Sequence, residues 1–509
     1  MSKQITEYNE LREMLKNGNV ELTNKQHTKS KLTARERIEL FFDKGTFVES
    51  GLFVKHRSIQ YGMNKRETPA DGVVTGYGQI DGRLVYVISQ DYKVMNGAVG
   101  EMHAEKIVQC QETAMKVGAP IIYILDSDGV RIEEGLDALA GLGKMFYTSS
   151  KASGVIPQIS IILGNCGGTQ IYLPAISDFV FMVDKISYAF MTAPNAIKDD
   201  RNITSDEMAS ANIHSTTSGF SHFFAKDENE CMQNLRTLIS YLPQNNMEKP
   251  EKHECADDLN RLISEFNDID FDNVNYDMKN IIVQLADNNN FFEIKENFAK
   301  NIITGFIRLG GRCVGVVANE PCQNEGKLNI NAIDKASRFI RTCDSFNIPV
   351  LTLVDVDGYE RNINEELNGI VRHSAKLPYV YSEATVPMVT VVINKAIGGA
   401  YVAMGSKHVG ADIVYAWPNS KIAIMDKEAA TNILYAKDIM NADNADNERN
   451  NKMREYTENV MTPYIAAGRG FVDDIIEPAS TRKLLIASFD MLETKVVNKM
   501  KKKHGNMPI

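Results

Sequence analysis

Short apolar runs and longer segments of helical periodicity alternate along most of the chain. Residues 121–125 form an apolar run of strand length that directly follows a proline. The preceding segment carries apolar residues at three- and four-residue intervals, namely Ile107, Cys110, Ala114 and Val117, which is typical of a helix packed on a core. This alternation predicts ββα units and a largely parallel sheet, because parallel strands need helical crossovers.

The pattern occurs twice along the chain. Three pairs of segments carry the repeat: 76–83 with 305–312, 119–129 with 348–358, and 156–168 with 386–399. The third pair sets Gly168 against Gly399, and the spacing of all three pairs agrees to within two residues. A repeat of this length indicates two related domains.

The repeat predicts the domain organisation. We expect an N-terminal domain at residues 61–226 and a C-terminal domain at residues 291–509. The stretch 227–290 is acidic and rich in asparagine, and it is predicted to separate the two domains. Residues 1–60 are predicted to be a charged, helical extension that packs around the first domain.

The charge balance excludes two classes of partner. The 509 residues include 66 acidic and 56 basic side chains, which leave a net charge of −10. A chain without a basic excess has little with which to bind a nucleic-acid backbone or an anionic membrane.

Cysteine usage and hydropathy predict a cytoplasmic protein without a metal site. The seven cysteines are odd in number and never form a Cys-x-x-Cys pair, so we expect reduced thiols and no metal centre. The N-terminal residues lack the apolar core of a signal peptide. The longest apolar stretches, such as 156–163, are far shorter than the roughly 20 residues of a membrane span.

Two Gly-Gly turns are the strongest candidates for chemistry. One contains Gly167 and Gly168, the other Gly398 and Gly399, and each lies between an apolar strand and a predicted helix. Consecutive backbone N–H groups at a helix N-terminus bind phosphate or stabilise a developing oxyanion. The oxyanion function is favoured, because neither turn carries the Lys-Ser/Thr of a P-loop or a G-x-G-x-x-G motif with a ribose-binding acid. Tight packing of helix on strand is the alternative.

Other sequence motifs give weaker evidence for a catalytic site. The sequence has no G-x-S-x-G elbow and no H-E-x-x-H motif. Glu133 and Glu134 provide two carboxylates, but adjacent helical residues point about 100° apart, and a solvated helix face is the other interpretation. The run Ala114-Met115-Lys116 matches the core of a biotin attachment site. That lysine ends a predicted helix, however, so any biotin group is expected on another chain.

Many segments, in order, give the chain a family resemblance. They are 31–49, 70–83, 100–106, 152–160, 298–301, 338–349, 383–387, 395–408, 415–418 and 502–509. On these segments the chain resembles the carboxyltransferase (β) subunits of biotin-dependent acyl-CoA carboxylases. This family includes propionyl-CoA carboxylase β chains and methylmalonyl-CoA decarboxylase α subunits, and the resemblance covers nearly the whole chain.

The resemblance implies an α/β fold of two crotonase-like (ClpP/crotonase) ββα superhelix domains, assembled as a homo-hexamer, a trimer of dimers. The active site would lie between the N-domain of one subunit and the C-domain of its dimer partner. Biotin would arrive on the carrier of a biotin carboxylase or decarboxylase complex, and a coenzyme A thioester would be the substrate. Biotin itself would take the α-proton of the acyl-CoA, so no side-chain base would be needed.

The resemblance also assigns roles to residues of the two turns. The N–H groups of Gly168 and Thr169 would hold the thioester oxyanion, and those of Gly399 and Ala400 the biotin enolate oxygen. The other expected substrate-binding residues are Asp128, Gly129, Val130, Arg131, Gly167, Tyr401 and Val402. The expected biotin-binding residues are Asp357, Gly358, Tyr359 and Gly398. An aliphatic Val402 in the acyl pocket would suit a short acyl group.

The sequence departs from the family pattern at these loops. Thr169 stands where the family usually has a second glycine, and its β-branched side chain would crowd the thioester. Asp128 and Asp357 replace a glycine and a proline at repeat-equivalent loop tips. A carboxylate near either enolate opposes its formation unless a cation such as Arg131 pairs with it. The alternative is that both aspartates face solvent or cap a helix.

These observations predict a carboxyltransferase component that moves CO2 between carrier-bound carboxybiotin and the α carbon of a short-chain acyl-CoA. The acyl group would be of the propionyl, acetyl or methylmalonyl type, or an unusual thioester. Three alternatives stay open: a decarboxylase subunit that runs the reaction in reverse, a catalytically weak structural subunit of a mixed hexamer, and a crotonase-type hydratase or hydrolase that uses Glu133 or Glu134.

Overall fold

The chain folds as two compact units in the computed structural model, which describes residues 3–197, 203–271, 276–498 and 500–508. Unit 1 is Met1–Glu248 and unit 2 is Lys249–Ile509. The stretch 227–290, which we expect between two domains, is divided between the units, and residues 272–275 of it lie outside the described residues.

Unit 1 contains one mainly parallel sheet. Its described strands are β1 (Val48–Ser50), β2 (Val73–Ile80), β3 (Arg83–Gln90), β4 (Ile121–Ser127), β5 (Gln158–Gly167), β6 (Phe179–Val183), β7 (Tyr188–Phe190) and β8 (Phe223–Ala225). The strand order is β1-β2-β3-β4-β5-β6-β8, and β7 pairs with the end of β5. The first three strands are antiparallel and the later pairings are parallel.

Unit 2 repeats this arrangement. Its described strands are β9 (Phe291–Ile294), β10 (Ile302–Leu309), β11 (Arg312–Asn319), β12 (Val350–Val356), β13 (Met388–Ile397), β14 (Ile413–Ala416), β15 (Lys421–Ala423) and β16 (Asp474–Ile475). The order is β16-β14-β13-β12-β11-β10-β9, with β15 paired to β13. The first three strands are again antiparallel and the rest parallel.

Helices connect the strands in both units. In unit 1 the described α-helices are α1 (Lys3–Asn17), α2 (Val20–His27), α3 (Ala34–Phe41), α4 (Glu101–Val117), α5 (Leu136–Ala152), α6 (Tyr172–Ile176), α7 (Ser205–Ala209), α8 (Ala211–Thr216) and α9 (Glu228–Tyr241). In unit 2 they are α10 (Met278–Leu285), α11 (Ile330–Ser345), α12 (Ile363–Asn368), α13 (Ile370–Ser374), α14 (Lys376–Glu383), α15 (Gly398–Ala403), α16 (Lys427–Leu434), α17 (Ala436–Asn441), α18 (Ala445–Asn459), α19 (Pro463–Gly468) and α20 (Thr481–Met491).

The apolar patterns of the sequence form these elements. β4 and β12 are buried along their whole length, as expected for parallel strands covered on both faces. On α4, Ile107, Cys110 and Ala114 are buried, whereas Val117, the last helical residue, is half exposed. Gly118 follows with φ +71° and ends the helix in the left-handed conformation that glycine adopts readily.

The repeat extends to buried polar side chains. Lys106 on α4 donates a hydrogen bond to the carbonyl of Val73, and Lys335 on α11 donates one to the carbonyl of Ile302. Burial lowers the pKa of Lys106 to about 8 and that of Lys335 to about 7. Each lysine thus donates to the carbonyl of the first residue of a long strand.

The strand order confirms the predicted ββα units and the largely parallel sheets. Over the described ranges, no helix combines the length and the apolar character that crossing a bilayer requires.

Candidate active site

Both Gly-Gly turns lie where a buried strand ends and a helical segment begins. β5 is followed by a 3₁₀ segment over Gly168–Ile171, and β13 is followed by α15, which begins at Gly398. Gly168 and Gly398 have left-handed backbone angles, φ +64° and +65°, which glycine adopts without strain. The first N–H groups of a helical segment have no partner within it. Both turns therefore present backbone donors at a helix N-terminus.

Strand pairing corrects the register of the two turns. The pairs that define it are Ser127 with Cys166 in unit 1 and Val356 with Ala396 in unit 2. Gly168 is therefore equivalent to Gly398, and not to Gly399 as the sequence comparison predicts. The sequence pattern aligns the pair Gly167-Gly168 with the pair Gly398-Gly399. The left-handed residue, however, is the second glycine of the first pair, Gly168, and the first glycine of the second pair, Gly398. Thr169 is thus equivalent to Gly399.

The loop after β4 reaches the first turn. A Cβ on Gly129 would lie 3.2 Å from the carbonyl oxygen of Gly167, so the loop and the turn are in contact. The carbonyl of Gly129 accepts a 2.9 Å hydrogen bond from the N–H of Val99, and Val130 forms a bridge with the same residue. In unit 2, Gly358 takes the equivalent place, and both loop glycines have positive φ.

The loop-tip aspartates are hydrogen-bonded to side chains of the strands that carry the turns. Asn165 Nδ2 donates to Asp128 Oδ1 at 2.7 Å, and the Tyr92 hydroxyl donates to Oδ2 at 3.1 Å. Burial and the Asp128 charge raise the pKa of Tyr92, which stays a neutral donor. In unit 2, Lys395 Nζ donates to Asp357 Oδ2 at 3.2 Å. Asp357 therefore has a cationic partner, whereas the described partners of Asp128 are neutral.

Arg131 is not the cation that pairs with Asp128. Its side chain is fully buried, and Nη1 lies 2.8 Å from Asp71 Oδ1 and 2.7 Å from Glu134 Oε1. Nη2 donates to the carbonyl of Ala98 at 3.0 Å. The described partners of the guanidinium are thus Asp71, Glu134 and a backbone carbonyl, and not Asp128. The expected contact of Arg131 with substrate stays a prediction.

The glutamates that offered an acid–base alternative have structural partners. Besides its ion pair with Arg131, Glu134 accepts a 2.6 Å hydrogen bond from the N–H of Glu101, the first residue of α4. A carboxylate at this end is favoured by the helix dipole. Glu133 pairs with Arg66 at 3.0 Å. Glu134 thus stabilises the start of a helix, and its geometry does not favour the hydratase alternative.

A cavity of about 570 Å³ in unit 2 lies beside the second turn. The expected biotin-binding residues Gly358, Tyr359 and Gly398 line it together with Gly399. The remaining apolar wall consists of Ile363, Ile370, Val371, Ile397, Ile424 and Met425. The Tyr359 ring lies 3.6 Å from where a Cβ on Gly399 would stand. Polar side chains complete the lining, namely Glu360, Arg361, Asn362, Glu366 and Ser374. A cavity with both apolar and polar walls suits a small organic group with a few polar atoms.

Asp357 lines a neighbouring cleft of charged residues. This cleft also contains Lys327, Glu360, Arg361 and Asp426, and Arg361 pairs with Asp426 at 3.3 Å. Neither there nor elsewhere in the described residues do three or more His, Cys, Asp or Glu side chains come together in a way that could hold a metal ion.

The other expected site residues differ in accessibility. A Cβ on Gly167 would come within 2.5 Å of the Phe190 ring, so packing requires glycine there. Ala400 is buried in the first turn of α15, and Val402 is 38% exposed. The Tyr401 hydroxyl is buried without a hydrogen-bond partner among the described residues, and burial raises the pKa of this tyrosine.

Sequence reasoning did not select four residues that lie beside the turns: Asp126, Asn165, Asp355 and Lys395. Asp126 and Asp355 are 1% and 2% exposed, and each lies opposite an irregularity in the strand that carries a turn. A signal was available, since each aspartate ends an apolar run, and a buried carboxylate needs hydrogen-bond partners.

Comparisons with known proteins show the family to which the chain belongs. Residues 25–507 match the carboxyl transferase domain family. The chain is 48% identical to methylmalonyl-CoA decarboxylase subunit alpha of Propionigenium modestum, over 97% of this chain and 96% of the relative. It is also 48% identical to the carboxyltransferase subunit of propionyl-CoA carboxylase of Haloferax mediterranei, over 100% of both chains.

A solved structure matches the fold of the whole chain. The crystal structure of transcarboxylase 12S, described as a hexamer with methylmalonyl-coenzyme A and methylmalonic acid bound, superposes with a TM-score of 0.97. It is 43% identical in sequence, and the match covers 100% of this chain and 99% of that chain. The expected fold class and family resemblance are confirmed.

Proposed function

Since the chain belongs to the carboxyl transferase family, we propose that it moves CO2 between carrier-bound carboxybiotin and the α carbon of a short-chain acyl-CoA. Carboxyl transfer itself follows from the family. The acyl-CoA class is supported by the names of two relatives, which act on propionyl-CoA and methylmalonyl-CoA. The observation that carries the mechanism is the pair of equivalent left-handed glycines, one at the start of a helical segment in each unit.

In unit 1, the N–H groups of Gly168 and Thr169 stabilise the thioester oxygen. When the α carbon of the acyl-CoA loses its proton, which biotin that has released CO2 would accept, negative charge moves to the thioester oxygen. Two oriented N–H donors at a helix N-terminus lower the energy of that oxygen. Removal of one such donor typically costs about 2.7–4 kcal/mol of the barrier. Asp128 lies in the adjoining loop and is held by Asn165.

In unit 2, the cavity beside Gly398 and Gly399 receives the ring system of biotin. Carboxybiotin supplies the CO2. The apolar side chains and the ring of Tyr359 offer a surface on which this ring system would pack. The N–H groups at the start of α15, which include those of Gly399 and Ala400, would hold the ureido oxygen and offer donors to negative charge there.

The proposed partners follow from the same relatives. We infer a homo-hexamer, supported by the transcarboxylase 12S structure, and a separate carrier that brings biotin from a carboxylase or decarboxylase complex. The reverse direction is the second candidate, favoured by the 48% identity to a decarboxylase subunit.

The experiment measures carboxyl transfer by the purified protein. Free biotin or carboxybiotin is supplied with acetyl-, propionyl- or methylmalonyl-CoA, and the carboxylated product is quantified in each direction. Transfer with at least one thioester is expected. Silence with every thioester, together with co-purification of a second carboxyltransferase chain, would instead support a structural subunit.

A matched pair of glycine variants tests the first turn. Gly168→Ala and Gly82→Ala each place a side chain at a left-handed residue with no atom within 4 Å of the new Cβ, so both carry the same backbone strain. We expect kcat to fall about 100-fold in Gly168→Ala, because relief of the strain displaces the N–H donors of the turn. In Gly82→Ala, which lies in the β2–β3 hairpin, kcat is expected to stay within twofold. Equal activity of the two variants would contradict the role of the first turn.

A further inference from the structure

A buried aspartate lies opposite a bulge in each strand that carries a turn. The flanking strand pairs are Leu125–Ile162 and Ser127–Cys166 in unit 1, and Val354–Val392 and Val356–Ala396 in unit 2. Asp126 alone therefore faces residues 163–165, which we call bulge 1, and Asp355 alone faces residues 393–395, which we call bulge 2. Neither aspartate has a role in the mechanism described above.

Each strand changes its partner at the bulge. Before bulge 1, β5 pairs with β6, and its last residues pair with β7. Before bulge 2, β13 pairs with β14, and its last residues pair with β15. Because a bulge bends the strand that contains it, its geometry determines the direction in which the turn leaves the sheet.

Asp355 is hydrogen-bonded to bulge 2. Oδ1 accepts from the N–H of Lys395 at 3.0 Å, and Oδ2 accepts from the side chain of Asn394 at 3.3 Å and from the hydroxyl of Tyr276. Burial raises the pKa of Asp355. The backbone N–H of Lys395, in bulge 2, thus has a side-chain carboxylate as its hydrogen-bond partner.

Asp126 is packed against bulge 1. A Cβ on Gly164 would lie 1.9 Å from Asp126 Oδ1, so the carboxylate fills the space of a side chain. Arg37 bonds to both Asp126 and bulge 1. Its Nη1 lies 3.1 Å from Asp126 Oδ2, and its Nη2 donates to the carbonyl of Leu163 at 2.6 Å. Lys31 Nζ adds a second ion pair at 2.7 Å. Asp126 and Arg37 therefore hold bulge 1 from two sides.

The last residue of each bulge holds the neighbouring loop tip. Asn165 donates to Asp128, and Lys395 donates to Asp357. A displaced bulge would move both the turn that follows it and the loop tip bonded to it. Both units therefore contain a buried aspartate, a bulge and a loop tip in the same arrangement, although the groups that form the hydrogen bonds differ.

We propose that Asp126 and Asp355 are positioning residues that hold the first and second turn in the geometry required for oxyanion binding. This inference rests on the proposed function of the turns. Oxyanion donors act at 2.7–3.1 Å from the oxygen, and a misplacement of about 1 Å in an active site can cost on the order of 100-fold in rate. Small shifts of either bulge are therefore expected to lower kcat.

The test uses two variants of Asp355 in the full-length protein with its assembly intact. Asp355→Asn keeps an oxygen that can accept from the N–H of Lys395, whereas Asp355→Glu keeps the charge but moves the acceptor by one methylene. We expect kcat to fall at least tenfold in Asp355→Glu and to stay within fivefold of wild type in Asp355→Asn. The KM for acyl-CoA is expected to stay within twofold in both, because the second turn acts on the biotin side.

Asp344→Asn and Asp344→Glu are the matched controls. Asp344 accepts backbone hydrogen bonds from Thr385 (2.6 Å) and Val386 (3.3 Å), which lie just before β13, at the opposite end of the strand from its turn. These variants carry the same chemical changes and are expected to keep kcat within twofold. Equal loss of kcat in the Asp344 and Asp355 pairs would show general destabilisation and overturn the proposal. A kcat of Asp355→Glu equal to that of the wild type would also overturn the proposal.

Amide hydrogen exchange separates this inference from the proposed function. By mass spectrometry, Asp355→Glu is expected to accelerate exchange in a peptide that covers residues 394–400, with core peptides of β11 and β12 unchanged. Hydrogen exchange can be measured without any enzymatic activity. If the wild-type protein transfers no carboxyl group, the proposed function is refuted, and the exchange result still decides whether Asp355 holds the second turn. Unchanged exchange at 394–400 would overturn the inference.

Discussion

Lys395 and Asp357 form an ion pair, Nζ to Oδ2 at 3.2 Å, beside the second turn. In unit 1 the equivalent positions carry the neutral donor Asn165 and the acceptor Asp128, 2.7 Å apart. Asp357, which stands where the family usually has a proline, is therefore paired with the cation of Lys395. The side chains of Lys395 and Asp357 are 37% and 18% exposed, so solvent screens part of their interaction.

We predict that Lys395→Met lowers kcat of carboxyl transfer about three- to tenfold. The variant leaves the Asp357 carboxylate unpaired near the second turn, where it opposes the negative charge that develops in the reaction. Adding Asp357→Asn is expected to restore kcat to within twofold of wild type. Initial rates at low ionic strength provide the measurement, and a double variant as slow as the single one would contradict the electrostatic explanation.

A glycine at position 169 is expected to raise or broaden activity. Thr169 is equivalent to Gly399, and at the proposed thioester site its β-branched side chain would take up space that a glycine leaves open. Thr169→Gly should increase kcat/KM about two- to tenfold for the larger acyl groups in a series of acetyl-, propionyl- and butyryl-CoA. An unchanged profile across the series would show that Thr169 does not line the site.

Loss of the Arg131 side chain should destabilise unit 1. Arg131→Met removes the cation between Asp71 and Glu134 and leaves buried carboxylates unpaired, which typically costs about 3–5 kcal/mol. We expect a lower free energy of unfolding in urea. Arg66→Met, which breaks only the more exposed pair with Glu133, is the control and is expected to lose much less. Equal losses would contradict the structural role of Arg131.

The pH dependence of stability should report on Glu320. Burial and the nearby Asp277 carboxylate raise the pKa of Glu320 from 4.5 to about 7. The folded protein therefore keeps a proton that the unfolded chain releases between pH 4.5 and 7, and the stability from this group is lost as the pH rises through that window.

Glu320→Gln stays neutral and avoids this loss. The difference in unfolding free energy between the variant and wild type should shift in favour of the variant by about 1–3 kcal/mol from pH 4.5 to 7. Urea titrations at several pH values measure it, with the exposed Glu254→Gln as the control. A difference that stays constant with pH would show that Glu320 does not titrate in this range.

Much of the site could be predicted because it depends on short stretches of chain. The apolar positions of α4 indicated its buried face, and only Val117, at the end of the helix, was exposed. The family resemblance assigned Gly129 and the first turn to the same substrate, and the loop that carries Gly129 contacts that turn. The bonds of Asp126 and Asp355 could not be predicted in the same way, since they depend on which residues of a neighbouring strand are left unpaired.

The amino-acid sequence by itself determined the duplicated ββα pattern, the two glycine turns and the family to which the chain belongs. These features depend on local periodicity, on the backbone freedom of glycine and on the order of short segments. Only the tertiary structure decided that Gly168 corresponds to Gly398, that Arg131 is buried between Asp71 and Glu134, and that Asp357 meets Lys395. Those relationships arise from strand register and from contacts between residues distant in the chain, which local patterns do not specify.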